Sequence, residues 1–121
     1  MGTNSAYWQF LIDLIASNPL TLDRPKGSAH PRYPEMIYPL DYGYLENTSA
    51  GDGDGIDVWI GSREEKTLTG ILCTFDKLKR DAELKLLIGG TKEDVEMIQG
   101  FNSDMPTLFV PNPMVENDLS D

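Results

Sequence analysis

Three aspartates fall within six residues, Asp52, Asp54 and Asp57, separated by Gly53 and Gly55. Glycine permits tight, positive-φ backbone, so the carboxylates can converge on one point. Converging carboxylates repel one another and stay ionised only around a cation. Oxygen donors with no neighbouring His or Cys suit Mg²⁺, Mn²⁺ or Ca²⁺ rather than Zn²⁺. A plain solvated turn is the competing reading, because Asp and Gly are also the commonest turn residues. An EF-hand loop fails on register: the position that needs Gly is Asp57, and the one that needs a bidentate Glu is Arg63. A second chemical concentration lies upstream in D-R-P-K-G-S-A-H-P-R-Y-P, where Arg24, Lys26, His30 and Arg32 gather in an otherwise acidic chain. It reads either as a solvated loop or as an arm whose guanidinium and ammonium groups hold phosphate. His30 suits a hydrogen bond within that loop better than a metal or a proton transfer.

D-G-D-G-I-D-V resembles the Asp-x-Asp-Pro-x-Asp-Val signature of the soluble family I inorganic pyrophosphatases, with Gly55 in place of the proline. Y-P-L-D-Y-G-Y, from Tyr38 to Tyr44, matches that family's Tyr-Pro-x-x-Tyr-Gly-Tyr/Phe segment at the same distance from the aspartates. The family carries two further metal-site aspartates five residues apart on a hairpin, and Asp76 and Asp81 keep that spacing. The resemblance runs from about Tyr38 to Leu87. It implies Asp52, Asp54, Asp57, Asp76 and Asp81 as ligands of Mg²⁺ (or Mn²⁺), Asp54 also as the base that assists water, and Tyr42 in the active site. It implies Tyr38 beside the phosphates, with Arg24, Lys26, Arg32 and Lys85 as candidate phosphate ligands. Leu22-Asp23-Arg24 is loosely similar to the segment that carries the family arginine, but its spacing to Tyr38 differs. Two residues past Asp81, where the family has lysine, stands Glu83; Lys85 lies two further on, on the same strand face. The family's C-terminal helix, with its Tyr-Lys pair, has no evident counterpart.

The elements that position these residues follow from periodicity. Ile56, Val58 and Ile60 alternate with Asp57 and Trp59, which predicts a strand with its aliphatic side inward and Asp57 on the other. Thr67–Phe75 and Ala82–Ile88 predict two strands joined by the charged loop Asp76–Asp81. Tyr38, Tyr42 and Tyr44 suit a short strand and a turn around Gly43, with Tyr44 packing. Near the start, Asn4 or Ser5 can cap a helix over about 6–17. Its stripe is Tyr7, Phe10, Leu11, Leu14 and Ile15, widened by Trp8 and Ile12; the stripe faces a core or a second copy of the chain. Asn18-Pro19 ends that helix. Thr91 caps a second helix to about Gln99, with Asp94 at the capping-box position and Gly100 as its stop. Thr107–Val110 predicts a closing strand, and an acidic tail covers about 114–121.

With 121 residues the chain is expected to form one domain. Its formal charge of −10 argues against nucleic acid as a partner and suits a protein that gathers cations. Cys73 is the sole cysteine, which excludes an internal disulfide and makes a cytoplasmic setting the default. There is no apolar run of the ~20 residues that span a bilayer, and no basic segment of a signal peptide opens the chain. The resulting expectation is a mainly β, α+β fold: a small OB-like β-barrel of the pyrophosphatase type with two flanking helices. It would hydrolyse pyrophosphate or a similar small diphosphate with Mg²⁺ and form a homo-oligomer. The alternatives are a weakly active or inactive metal-binding relative and a phosphohydrolase acting on another diphosphate.

Overall fold

The short alternating segments form strands, and their order in space is what builds the site. The computed structural model describes residues 2–51 and 53–115. Its elements are α1 (Gly2–Ser17), β1 (Leu20–Arg24), β2 (Asp41–Leu45), β3 (Asp57–Ile60), β4 (Leu68–Asp76), β5 (Asp81–Ile88), α2 (Lys92–Phe101) and β6 (Thr107–Pro111). The six strands make one sheet in the order β1-β2-β3-β5-β4-β6. Its neighbours are antiparallel except β3 and β5, which run parallel. The OB-like α+β class is the expected one, but the expected barrel does not close: β1 and β6 are the edges of an open sheet and do not pair with each other.

Both faces of the sheet are covered. Val58 and Leu86 face α1 and pack with Trp8 and Leu11. Their chain neighbours Trp59 and Leu87 face the other way, toward α2, and pack with Val95, Ile98, Tyr38 and Leu40. Val58 and Trp59 are 0% and 1% exposed, so the side of β3 that carries Asp57 is core as well, not only the aliphatic side. In α1 Trp8 and Leu11 are buried, with Ile12, Leu14 and Ile15 half-buried against the same core, while Tyr7 and Phe10, expected to face inward, are 49% and 70% exposed. The helix starts at Gly2, before the expected caps Asn4 and Ser5. Strand β1 is an addition: Leu20 and Leu22 are exposed, so it shows no buried alternation and is held by backbone pairing to β2. Gly43 sits within β2 rather than at a turn. Within the acidic tail, residues 116–121 lie outside the described residues.

Helix α2 forms as its cap predicts. The Asp94 amide donates to Thr91 Oγ1 at 3.0 Å, and the Thr91 amide donates to Asp94 Oδ2 at 2.9 Å. The helix runs past Gly100 to Phe101, with Asn102 as its C-cap. Asp94 also accepts the Ser62 amide at 2.8 Å and the Ser62 hydroxyl, which ties the helix start to the turn after β3. Burial raises the pKa of this carboxyl, but the hydrogen bonds from Ser62 and Thr91 outweigh it and hold it below the usual carboxylate value. A depressed folded-state pKa contributes stability above the unfolded value that is lost as pH falls through the folded one. Asp94→Ala should therefore cost about 2–3 kcal/mol at neutral pH. In urea denaturation, the gap between wild type and Asp94→Asn should narrow as pH drops below the ordinary carboxylate range. A gap that stays constant with pH would remove this assignment.

Candidate active site

The α2-facing side of the sheet collects the chemistry. Register aligns it: Tyr44 pairs with Asp57 and Tyr42 with Trp59. Because Val58 pairs with Leu86, Asp57 lies beside Lys85. Along β5 the same side carries Asp81, Glu83 and Lys85 in turn. On β4 it carries Asp76, directly opposite Asp81 in the terminal pair of the hairpin. The five-residue spacing of Asp76 and Asp81 thus sets two carboxylates face to face, an arrangement that is repulsive without a cation. The hairpin loop is built locally: Asp76 Oδ1 accepts the amides of Leu78 (2.9 Å) and Lys79 (3.0 Å), and Arg80 takes a positive φ. Those amide bonds, Lys79 first, lower the Asp76 pKa.

At the other end of the row, Lys85 Nζ donates to Tyr42 Oη at 2.8 Å. The ammonium lies 3.8 Å from Asp57 Oδ2 and 3.7 Å from Glu83 Oε1. The Tyr42 hydroxyl also hydrogen-bonds Asp57. Burial, then the Asp57 charge and that hydrogen bond, push the Tyr42 pKa far above its usual value, so the phenol stays protonated. The Tyr42 ring packs edge-on to Trp59 at 4.7 Å, and Tyr38 packs on Phe101 at 4.7 Å. This aromatic wall fixes the floor of the site.

Arg24 ends β1, and its Nη1 donates to Tyr38 Oη at 2.8 Å. Burial raises the Tyr38 pKa, with Arg24 pulling against it. The basic segment after Arg24 is a folded arm: Ala29 bridges Ile37, and the Tyr38 amide donates to Ser28 O at 2.9 Å. The Lys26 amide is held by Asp41 Oδ1 at 2.8 Å. His30 Nδ1 accepts the amides of Arg32 (3.0 Å) and Tyr33 (3.2 Å), the loop-bonding role expected for it. The Lys26 and Arg32 side chains are exposed, Arg32 near the tip of the arm.

The signature loop hangs between β2 and β3. Asp52 lies outside the described residues. Asp54 is exposed, and its carbonyl accepts the Ala50 amide at 2.6 Å, while Gly53 takes φ 88°. Thr48 closes the loop: its hydroxyl donates to Leu45 O at 2.8 Å and accepts the Ile56 amide at 2.9 Å. A Cβ at Gly55 would fall 2.8 Å from Leu45 O and 2.8 Å from Tyr44 Cδ2. A larger residue here would therefore have to displace the Tyr44 ring and the β2 backbone. Sequence reasoning missed Thr48 and Asp41, which act through side-chain bonds to backbone groups that residue type alone does not reveal.

The structure therefore brings Arg24, Tyr38, Tyr42, Asp57 and Lys85 to one wall, with Glu83 beside them. Asp81 stands further along β5, about 13 Å of strand from Lys85 at ~3.3 Å per residue, with Asp76 opposite it on β4. Among the described residues no three carboxylates form a preformed cage. The donors on this face are carboxylate oxygens, which fit a hard divalent cation; the softer Cys73 packs with the opposite, α1-facing core.

A sequence model described as inorganic pyrophosphatase matches residues 18–78. The inorganic pyrophosphatases of Geobacillus stearothermophilus and Bacillus sp. (strain PS3) are each 37% identical to this chain over 70 residues. Those matches cover 51% of this chain and 41% of each relative, so less than half the length of either is represented. Glu83 and Lys85 lie beyond the segment matched by the model. With half of its residues matched, a span that includes the tyrosine segment 38–44 and the signature aspartates, the chain belongs to the inorganic pyrophosphatase family.

Proposed function

We propose that this chain is a Mg²⁺-dependent inorganic diphosphatase that hydrolyses pyrophosphate, or a similar small diphosphate, to phosphate. The observation that carries it is the shared sheet face on which Asp57, Asp76 and Asp81 line up with Lys85, Tyr42 and Arg24. Asp52, Asp54, Asp57, Asp76 and Asp81 are the cation ligands in this reading. Bound there, Mg²⁺ supplies Lewis-acid activation of water and charge neutralisation of the phosphates. Asp54, on the exposed turn of the loop, takes a proton from water. Tyr42 stays a neutral donor because its hydroxyl is buried against Asp57. Lys85, Arg24 and Tyr38 meet the phosphate oxygens, with Lys26 and Arg32 reaching from the arm.

Glu83 favours a second reading, a cation-binding relative with weak hydrolysis or one acting on another diphosphate. It puts a negative charge where the family has lysine and pairs with Lys85 at 3.7 Å. Phosphate release from pyrophosphate, tripolyphosphate and a nucleoside diphosphate, each with Mg²⁺ and with EDTA, separates the readings. Release from pyrophosphate that EDTA abolishes is the expected result. Release from another substrate alone moves the specificity, and no release from any of them removes the enzymatic reading.

A further inference from the structure

The Lys85 ammonium sits almost midway between two carboxylates, 3.8 Å from Asp57 and 3.7 Å from Glu83. Both distances exceed a hydrogen bond; among the described residues the ammonium makes its short contact with Tyr42 Oη at 2.8 Å. The lysine side chain is 12% exposed, against 27% for Asp57 and 30% for Glu83. A cation arriving from solvent therefore meets the carboxylates before the ammonium. Glu83 also stands between the two groups of aspartates: Asp57 is beside Lys85, two residues along β5 in one direction, and the Asp76–Asp81 pair is two residues away in the other. A carboxylate at that position stands between Asp57 and the hairpin pair on the same sheet face.

We propose that Lys85 is the resident counter-ion of this site, holding Asp57 and Glu83 in the place a divalent cation takes, and that Glu83 joins Asp57 as a ligand once the ammonium turns away. This rests on the metal-dependent reading above. The replacement of lysine by Glu83 then adds a ligand to the cation site, and Lys85, released, is the positive charge left to meet an anion. The exchange swaps a single charge for a double one, so it proceeds only when the cation gains both carboxylates.

The test is calorimetric titration of Mn²⁺ alone into wild type, Lys85→Met, Lys85→Arg, Glu83→Gln and the Lys85→Met/Glu83→Gln double variant. Lys85→Met keeps the apolar stem and removes the competitor, and it should tighten Mn²⁺ binding about tenfold or more, whereas Glu83→Gln should weaken it by a similar factor. Lys85→Arg should keep the wild-type affinity, and the double variant should lose the gain of Lys85→Met. Melting curves add a readout of opposite sign: in EDTA Lys85→Met should melt below wild type, while its rise on adding Mn²⁺ should be larger. A merely structural lysine would lower both. Equal affinity across all five proteins, or weaker binding by Lys85→Met, overturns this inference alone. Absence of Mn²⁺ binding in every protein overturns it together with the cation-site reading.

Discussion

Asp54→Asn should slow pyrophosphate hydrolysis about 10²-fold or more, the usual scale for loss of a general base, and added Mg²⁺ should not restore it. Asn keeps the shape and one oxygen but cannot accept the proton. Asp54 is exposed, on a loop held through backbone groups by the Ala50 amide and closed by Thr48, so its side chain is not part of the buried core. Folding should therefore be unaffected, and the loss should appear in kcat. Asp57→Asn should fail differently. Asp57 begins β3 and is fixed by Tyr42 and Lys85, so the substitution removes one of the two charges around the ammonium. Its activity should fall by a comparable factor at low Mg²⁺ and recover in part as Mg²⁺ is raised, because a lost ligand weakens cation affinity before it weakens chemistry. Steady-state rates over a Mg²⁺ series decide the matter. Full activity in Asp54→Asn would remove it as the base, and an Asp57→Asn defect indifferent to Mg²⁺ would remove Asp57 as a ligand.

Much of this was legible in the chain because it depends on local pattern. Alternation located β3 and β5, and strands were expected at β4 and β6 as well. The Thr91–Asp94 cap located α2, since both its hydrogen bonds lie within four residues. The Asp76–Asp81 spacing was readable because a hairpin turns spacing directly into opposition across two strands. What escaped depends on non-local contacts. Nothing in the order of residues says that β5 crosses over to lie parallel to β3, and only that crossing sets Lys85 beside Asp57. Strand β1 escaped because its leucines are exposed and its stability comes from the backbone of β2. The inward role expected of Tyr7 and Phe10 failed for a related reason: a stripe that includes Trp8, Leu11, Ile12 and Ile15 has the same helical spacing, and the choice between them is made by the sheet.

Gly43→Ala should destabilise the protein by about 3 kcal/mol or more, the upper range for overpacking where backbone must move. A Cβ at this position would lie 2.0 Å from Thr21 O and 2.9 Å from Leu22 Cα, so the obstacle is the backbone of β1 rather than a side chain that can rotate away. Relief requires β1 to separate from β2, its sole partner among the described strands. With it go the Thr21–Glu46 hydrogen bond at 2.6 Å and the seat of Arg24 against Tyr38. The effect on the site should follow the same route: hydrogen exchange should rise first at the amides of β1, and affinity for phosphate should fall with the loss of Arg24, while cation affinity, which draws no ligand from β1, should change less. Gly100→Ala is the control. It lies in α2 with nothing within 4 Å of an added Cβ, and removing a helical glycine should stabilise by about 0.5–1 kcal/mol. Urea denaturation of both variants measures the contrast. A Gly43→Ala protein within about 1 kcal/mol of wild type would mean that β1 yields at little cost, and Arg24 would then lose its place as a fixed phosphate ligand.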